Sequence, residues 1–249
     1  VTLLGATHQV KVSGMERLLL LTGSGNDSIV QNVVGTNDEF RLGDGNDSLT
    51  LTAGTTTANG GSDRIDLGAG NDTLVMSGTS VNDTIVLGAG NDTATISGQI
   101  GVSTLDGGIA ENDTLNFDGA ISGVAKYMAF GVQKADASWV YFGRHFLPGG
   151  SSENGTAPTI DLLQAALAAG PVQLQYGFSA IGTGVDSLSW KDVETVNAKG
   201  GINPDMLVYL NGTEYAGGGS ADTFYADLSS WTEGVGWTNN KNVNNAGIS

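Results

Sequence analysis

Gly68-Ala-Gly-Asn-Asp72 and Gly88-Ala-Gly-Asn-Asp92 spell the same turn, and each turn leads directly into a short run of alternating apolar residues. Two further copies, which differ only at the second residue, occupy Gly23–Asp27 and Gly43–Asp47. The glycines allow the backbone to fold with its carbonyl oxygens facing inward, and the aspartate adds a hard carboxylate oxygen. Calcium prefers such oxygen ligands, so these four strict turns predict calcium-binding sites.

The spacing of the aspartates predicts a chain that winds in coils, with two turns in each coil. The strict turns place their aspartates 20, 25 and 20 residues apart, at Asp27, Asp47, Asp72 and Asp92. A second series in looser turns has separations of 25, 20 and 30 residues and consists of Asp38, Asp63, Asp83 and Asp113. We expect the strict series on one edge of the fold and the looser series on the other. The longer interval between Asp47 and Asp72 predicts a bulge loop at 52–58.

The segments between the turns alternate in polarity with the two-residue period of a β-strand. The residues expected to face inward and form a thin core are Ile65, Leu67, Leu74, Met76, Ile85, Leu87, Ala94 and Ile96. The predicted fold is mainly β: a right-handed parallel β-roll or β-solenoid with calcium-binding turns, interrupted by an aromatic-rich insertion of α+β or β-rich structure. Because repeat units of this kind need their neighbours, we expect folding and calcium binding to be one equilibrium.

The composition restricts the partners and the means of stabilisation. The 249 residues include 39 glycines and no cysteine, with 26 acidic and 10 basic side chains and a formal net charge of −16. The lack of cysteine excludes disulfide scaffolds and cysteine-ligated zinc sites. The negative charge argues against nucleic acid and anionic lipid as partners. No apolar run approaches the roughly 20 residues of a membrane span, so we expect no membrane span. No signal peptide is recognised, and we expect the chain to be an excised piece of a longer protein.

The turns resemble the nonapeptide repeats of RTX proteins, Gly-Gly-x-Gly-x-Asp-x-apolar-x, which Gram-negative bacteria export through type I secretion. The resemblance covers about residues 20–116 and 198–226, with partial matches at 107–113, 200–205 and 217–222. The first glycine of the pattern is replaced in the strict turns by Thr22, Leu42, Leu67 and Leu87. The resemblance implies several calcium ions, held by Gly23, Gly25, Asp27, Asp38, Gly43, Gly45, Asp47, Gly61, Asp63, Gly68, Gly70, Asp72, Asp83, Gly88, Gly90, Asp92, Gly108, Asp113, Asp205 and Asp222.

Four regions are predicted along the chain. They are an entry or capping strand at 1–19, the calcium-binding roll at 20–117, an inserted globular unit at 118–190, and resumed coils with a C-terminal cap at 191–249. Segment 15–27 aligns without gaps on 193–205, since both contain a glutamate followed by glycine after seven residues and by aspartate after eleven. Either a second unit starts near residue 190, or one roll is interrupted by the insertion.

The inserted unit is marked by its aromatic residues, because 16 of the 17 aromatic residues of the chain follow position 115. Apolar and aromatic runs predict strands at 127–130, 139–142 and 173–178. A helix is predicted at 159–169, because Pro158 precedes it, Thr159 is a suitable N-cap and Gly170-Pro171 ends it. We expect this unit to pack as a separate globular insertion.

No catalytic motif is recognised, and the two histidines, His8 and His145, lie in no nucleophile, zinc or phosphate motif. We expect a non-enzymatic, extracellular or cell-surface module of an adhesin-like RTX protein, disordered before export, that folds on calcium and meets a glycan or cell-surface ligand through its insertion. Two alternatives are the C-terminal calcium-binding module of a secreted enzyme or toxin, such as a protease or lipase, and a self-assembling surface-layer protein. A metal-free fold held by asparagine ladders is a further alternative for the turns themselves.

Overall fold

The structure is a computed structural model that describes residues 2–4, 9–11, 13–32, 37–52, 61–79, 82–99, 101–108, 111–119, 127–146, 152–154, 158–179, 186–201, 203, 205–219 and 221–227. Most of the expected bulge loop at 52–58 lies outside the described residues, as does the expected C-terminal cap beyond residue 227.

The described residues form 22 strands and one helix. In chain order they are β1 (Thr2–Leu4), β2 (Gln9–Lys11), β3 (Leu19–Leu21), β4 (Ser28–Gln31), β5 (Glu39–Asp44), β6 (Ser48–Thr52), β7 (Arg64–Ala69), β8 (Thr73–Thr79), β9 (Thr84–Val86), β10 (Thr93–Gln99), β11 (Val102–Asp106), β12 (Thr114–Asp118), β13 (Tyr127–Gln133), β14 (Trp139–Phe142), β15 (Arg144–Phe146), β16 (Ser152–Asn154), α1 (Ile160–Ala168), β17 (Gln173–Ser179), β18 (Asp186–Lys191), β19 (Thr195–Lys199), β20 (Met206–Val208), β21 (Asn211–Ala216) and β22 (Thr223–Tyr225).

Two nine-stranded sheets contain most of these strands. Sheet A has the order β2-β1-β4-β6-β8-β10-β12-β19-β21, and sheet B the order β14-β13-β17-β18-β11-β9-β7-β5-β3. From β3 to β12 the chain passes alternately through sheet B and sheet A, and successive passages pair in parallel. We call one passage through both sheets a coil, the turns from sheet B to sheet A the first edge, and the turns from sheet A to sheet B the second edge. This mainly β arrangement with long parallel sheets is compatible with the expected β-roll or β-solenoid.

The core lies between the inward faces of the two sheets. All eight residues expected there, from Ile65 to Ile96, are at most 5 % exposed, which confirms the alternation inferred from the sequence. Leu and Ile of successive coils contact one another because the parallel strands pair in register. At the N-terminal end, β1 and β2 form an antiparallel hairpin that pairs with β4 of sheet A.

The register corrects the assignment of Asp113. Strand β10 pairs with β12 so that Asp113 follows Asp92 on the first edge. Strand β9 pairs with β11 so that Ser103 follows Asp83 on the second edge. The expectation that Asp113 continues the looser series was therefore wrong. The looser series continues with a serine, and the first-edge interval lengthens there from 20 to 21 residues.

The inserted segment extends sheet B and is not a separate unit. Strands β13, β14 and β17 are the three expected ones, and β13 pairs antiparallel with both β14 and β17. Strand β17 pairs antiparallel with β18, which in turn pairs in parallel with β11 of the roll. The return to the roll thus begins at Asp186, inside the segment expected to be inserted at 118–190.

The predicted helix is confirmed within one residue at each end. Helix α1 spans Ile160–Ala168, and the Thr159 side chain accepts a hydrogen bond from the Leu162 N–H, as an N-cap does. Gly170, with φ of 69°, follows the C-cap residue. The helix buries Leu163 against the common core.

Tyr176 joins the insertion to the roll. Its ring is fully buried and lies 5.8 Å from that of Phe117, 5.7 Å from that of Phe130 and 5.2 Å from that of Trp190. Its hydroxyl accepts a hydrogen bond from the Val208 N–H at 3.3 Å. Residues of β12, β13, β17 and β18 therefore share one aromatic cluster, and the Tyr176 hydroxyl links it to β20.

The coils before and after the insertion belong to one interrupted stack. Strand β19 pairs in parallel with β12, with Thr114 opposite Thr195. The aligned segments 15–27 and 193–205 do not occupy equivalent positions, because Asp27 follows a strand of sheet B and Asp205 a strand of sheet A. The structure thus favours one interrupted stack of coils over a second unit.

Candidate cation-binding edge

The first-edge aspartates form a hydrogen-bonded ladder through successive coils. The N–H of each aspartate donates to Oδ1 of the next, at 2.8 Å from Asp27 to Asp47, 2.7 Å from Asp47 to Asp72, 2.7 Å from Asp72 to Asp92 and 2.9 Å from Asp92 to Asp113. Since neighbouring strands are roughly 4.8 Å apart, so are successive carboxylates. The ladder brings together all the first-edge aspartates predicted from the strict turns.

An asparagine ladder runs beside the aspartates in the opposite direction. The N–H of Asn46 donates to Oδ1 of Asn26, that of Asn71 to Asn46, and that of Asn91 to Asn71, each at 2.8 Å. Asn112 continues it to Asn91 at 3.0 Å. The aspartate side chains thus accept from the preceding coil and the asparagine side chains from the following one. Each Asn-Asp pair ties its coil to both neighbours.

Close stacking of the coils explains the glycines of the strict turns. Gly70 and Gly90 adopt φ of 134° and 138°, which side chains disfavour. A Cβ on Gly70 would lie 2.0 Å from the Gly45 carbonyl oxygen, and one on Gly90 would lie 1.9 Å from that of Gly70. The same stacking relates Gly45 to Gly25, Gly43 to Gly23, Gly68 to Gly43, Gly88 to Gly68 and Gly108 to Gly88. Gly61 lies on the second edge and is buried.

Burial makes the first-edge carboxylates electrostatically costly. Asp47, Asp72, Asp92 and Asp113 are at most 2 % exposed. The Oδ2 atoms of the first three are buried and have no hydrogen-bond partner within the described part of the chain. Burial raises the pKa of Asp72 from 3.8 to about 6, although the hydrogen bond from Asp47 lowers it; the charges of Asp92 and Asp47 raise it further. Burial likewise raises the pKa of Asp113 to about 6.

The second edge has a similar ladder of aspartates, but their carboxylate oxygens have different hydrogen-bond partners. The Asp38 N–H donates to Asp63 Oδ1 at 2.8 Å, and the Asp63 N–H to Asp83 Oδ1 at 2.9 Å. The Asp83 N–H then donates to Ser103 Oγ at 2.9 Å. Both carboxylate oxygens of Asp38 accept hydrogen bonds, one from a backbone N–H and one from the Gln31 amide. Burial raises the pKa of Asp63 to about 7, and the charges of Asp83 and Asp38 add to the effect.

Asp205 and Asp222 form a short ladder of their own after the insertion. The Asp205 N–H donates to Asp222 Oδ1 at 3.0 Å, and the strands that follow, β20 and β22, pair in parallel. Asp205 accepts from the Met128 N–H at 2.8 Å and from the Gly201 N–H at 2.7 Å. Burial raises its pKa to about 7. Because Met128 belongs to β13, this carboxylate ties the insertion to the resumed coils.

The first edge offers the kind of oxygen donors that calcium takes. Besides the three unpartnered Oδ2 atoms, the carbonyl oxygens of Gly25, Gly45 and Gly70 accept no hydrogen bond within the described residues. In the same residues no group of three or more carboxylate, imidazole or thiol side chains gathers at one point. A calcium ion there would be held by one or two aspartates together with backbone carbonyls. Asp38 and Asp205 offer no unpartnered carboxylate oxygen.

Two glutamates of the first edge were missed by the sequence reasoning. The Asp113 N–H donates to Glu194 Oε2 at 2.8 Å, so Glu194 continues the ladder 81 residues further along the chain. Glu111 has a buried Oε2 without a partner in the described part of the chain, and its charge raises the pKa of both Asp92 and Asp113. Glu111 lies in the partial repeat match at 107–113 and Glu194 in the segment aligned on 15–27, but neither occupies the aspartate position of the repeat, so the spacing of the turns carried no signal for them.

Comparisons of the chain with protein-family models, curated proteins and solved structures find no match. Among the residues that the structure describes, no helix is long and apolar enough to cross a membrane.

Proposed function

We propose that the chain is a calcium-dependent structural module whose first edge binds ions between its coils. The observation that carries this proposal is the column of buried first-edge aspartates whose Oδ2 atoms have no partner among the described residues. At roughly 5 Å and an effective dielectric constant of 20, two unit charges repel by about 3 kcal/mol. A divalent cation that contacts neighbouring carboxylates would remove this repulsion and occupy the unpartnered oxygens.

The residues proposed to hold the ions are Asp47, Asp72 and Asp92, with carbonyls of the stacked glycines and with Asp27 and Asp113 at the ends of the ladder. The backbone hydrogen bond to each Oδ1 fixes the carboxylate and leaves Oδ2 for the ion. Calcium would supply positive charge and accept only oxygen ligands. Because each site forms from adjacent coils, binding an ion also pulls those coils together.

We further propose that this module belongs to a secreted or cell-surface protein of the RTX type, adhesin-like in role. An acidic, cysteine-free chain built from stacked parallel coils suits this role. Such a chain would stay unfolded at low calcium and fold outside the cell. The inserted segment, which extends sheet B beyond the coils, is the part we propose for contact with a partner.

Circular dichroism of the whole chain in chelator and during a calcium titration tests the proposal. We expect little β structure without calcium and a cooperative gain at about 10⁻⁴–10⁻³ M, the range of extracellular modules. Magnesium at the same concentrations is the control, because it dehydrates reluctantly and demands octahedral geometry. Identical spectra in chelator and in calcium would contradict the proposal and favour a metal-free fold held by the asparagine ladder.

A further inference from the structure

One face of the inserted segment presents two aromatic rings. In β14, Trp139 and Tyr141 are half-buried, whereas Phe142, on the opposite face, is 1 % exposed and belongs to the core. The rings of Trp139 and Tyr141 are nearly parallel, with an angle of 15° between their planes and 5.9 Å between their centroids. Strand β14 is the end strand of sheet B, so these rings lie at the margin of the sheet.

The strand register places amide and hydroxyl side chains beside the rings. Cross-strand partners share a face of a sheet, so two neighbouring rows can be read from the pairing. These rows, which we call the aromatic–amide face, are Tyr141–Gly131–Gln175–Ser189 and Trp139–Gln133–Gln173. None of the seven positions carries a formal charge, although the chain as a whole has a net charge of −16.

A glycine lets the rings lie close to the sheet. A Cβ on Gly131 would come within 2.8 Å of Tyr141 Cε1 and 3.2 Å of Trp139 Cε3. Next to it, Gln175 Nε2 donates to Ser189 Oγ at 2.9 Å, and both side chains are buried. The rings are thus packed against the glycine, and the amide of Gln175 is already fixed before any ligand arrives. Such preorganisation lowers the entropy cost of binding.

We propose that the aromatic–amide face binds a pyranose ring of a neutral glycan. The electron-rich face of Trp139 attracts the polarised C–H groups of a sugar ring, and amides can both donate to and accept from its hydroxyls. Gln133 Nε2 already donates to the Ala137 carbonyl at 3.3 Å, which leaves its second N–H and its oxygen for the sugar, beside the amide of Gln173. A neutral ligand matches a face without charge, whereas the surrounding acidic chain repels polyanions. This inference rests on the part of the proposed function that assigns partner contact to the insertion, and it does not require calcium on the first edge.

Native gel electrophoresis through gels containing a neutral polysaccharide tests the proposal on the whole chain in saturating calcium. The gels contain β-glucan, mannan, xylan or starch, and a neutral-glycan array extends the set. We expect at least one of these to retard the wild type, and Trp139→Ala to weaken binding by about tenfold or more. Gln133→Ala should weaken it less. Phe224→Ala is the matched control, because Phe224 is an aromatic residue 53 % exposed on β22, away from this face, and its loss should leave binding unchanged.

Circular dichroism and melting of each variant in calcium separate loss of binding from loss of fold. A folded wild type that no polysaccharide retards and no array glycan binds would overturn the proposal, as would Trp139→Ala binding as tightly as the wild type. Binding of extended peptides alone would also overturn it, assigning the β14 margin to strand addition. If the wild-type spectrum proves independent of calcium, the calcium proposal fails while the gels still decide on the glycan.

Discussion

The two edges of the coil stack use the same aspartate position in different ways. On both edges a backbone N–H donates to the carboxylate of the next coil. On the second edge, however, Asp38 has its other oxygen bound by Gln31, and the row then passes to Ser103. Asn37 and Asn82 supply the positive φ there, where the first edge uses glycine. The difference teaches that the ladder alone does not distinguish the edges: the buried Oδ2 atoms without a partner in the described part of the chain belong to first-edge aspartates, and there we propose that the cation binds.

The largest effect is expected from the backbone of the first edge. In Gly70→Ala, the new Cβ would meet the Gly45 carbonyl at 2.0 Å with φ at 134°, so we expect a loss of about 3 kcal/mol or more in unfolding free energy. Gly23→Ala is the matched control, because a Cβ there meets nothing within 4 Å, and it should change stability by less than about 0.5 kcal/mol. Thermal unfolding in calcium measures both. Equal melting temperatures would mean that the coils stack less closely than described.

Without metal ions, stability should fall as the pH rises toward neutrality. The folded-state pKa of Asp72 is raised from 3.8 to about 6, and that of Asp63 to about 7. Unfolded aspartate titrates near a pKa of about 3.9, so the folded chain binds more protons between pH of about 4 and 7 and loses stability as they leave. For Asp72 alone the loss is up to about 3 kcal/mol, at about 1.4 kcal/mol per pKa unit.

Circular dichroism in chelator across this pH range checks the sign: β structure should be gained as the pH falls from about 7 to about 4, and thermal unfolding measures its stability where it forms. Calcium should flatten the curve above pH of about 6, since it would replace the protons on the first edge. Stability in chelator that increases with pH would show that the buried carboxylates are stabilised as anions by other groups, and the proposed cation on the first edge would lose its electrostatic basis.

Asp72→Asn and Asp38→Asn compare the edges with the smallest chemical change. Asparagine keeps an oxygen to accept the backbone N–H but removes the charge. For Asp72→Asn we expect the calcium midpoint of folding to rise about tenfold, or ~1.4 kcal/mol. For Asp38→Asn we expect a smaller shift, because no unpartnered oxygen is lost there and the cost is confined to the hydrogen bond from the Gln31 amide, which must turn to accept from the new NH2. Titrations followed by circular dichroism give both midpoints, and equal shifts would place ion binding on both edges.

Much of the fold could be predicted from the sequence because its signals are local and periodic. The alternation of apolar and polar residues predicted the inward face of β7 to β10, and the spacing of the turns predicted which coils pair. The helix followed from Thr159 and Gly170, whose capping preferences are intrinsic. The predictions that failed concern residues whose partners are distant in the chain. Asp113 was placed on the wrong edge because the second-edge position is occupied by Ser103, whose Oγ accepts the hydrogen bond from the Asp83 N–H where an aspartate was expected.

The candidate site could be predicted only in part for the same reason. The strict turns identify Asp47, Asp72 and Asp92, but no pattern shows that their Oδ2 atoms are unpartnered while Gln31 reaches Asp38. That outcome depends on which side chain stands seven residues before the aspartate and on how deeply each turn is buried. Glu194 was likewise hidden, since only the pairing of β19 with β12 brings it to Asp113.

The junction between Asp113 and Glu194 shows that a long inserted segment adds little loop-closure entropy to the folding of a stack of coils. An ordinary coil closes over 20 residues, whereas this one closes over 81. Loop-closure entropy grows only with the logarithm of length, so the added cost is about 1 kcal/mol. A replacement segment would have to leave from β12, return as β18 and supply apolar cover in place of Tyr176 and Leu163. This coil is therefore a natural position for exchanging whole segments, and a shorter or foreign insert with the same end-to-end distance should leave the neighbouring ladder rungs in place.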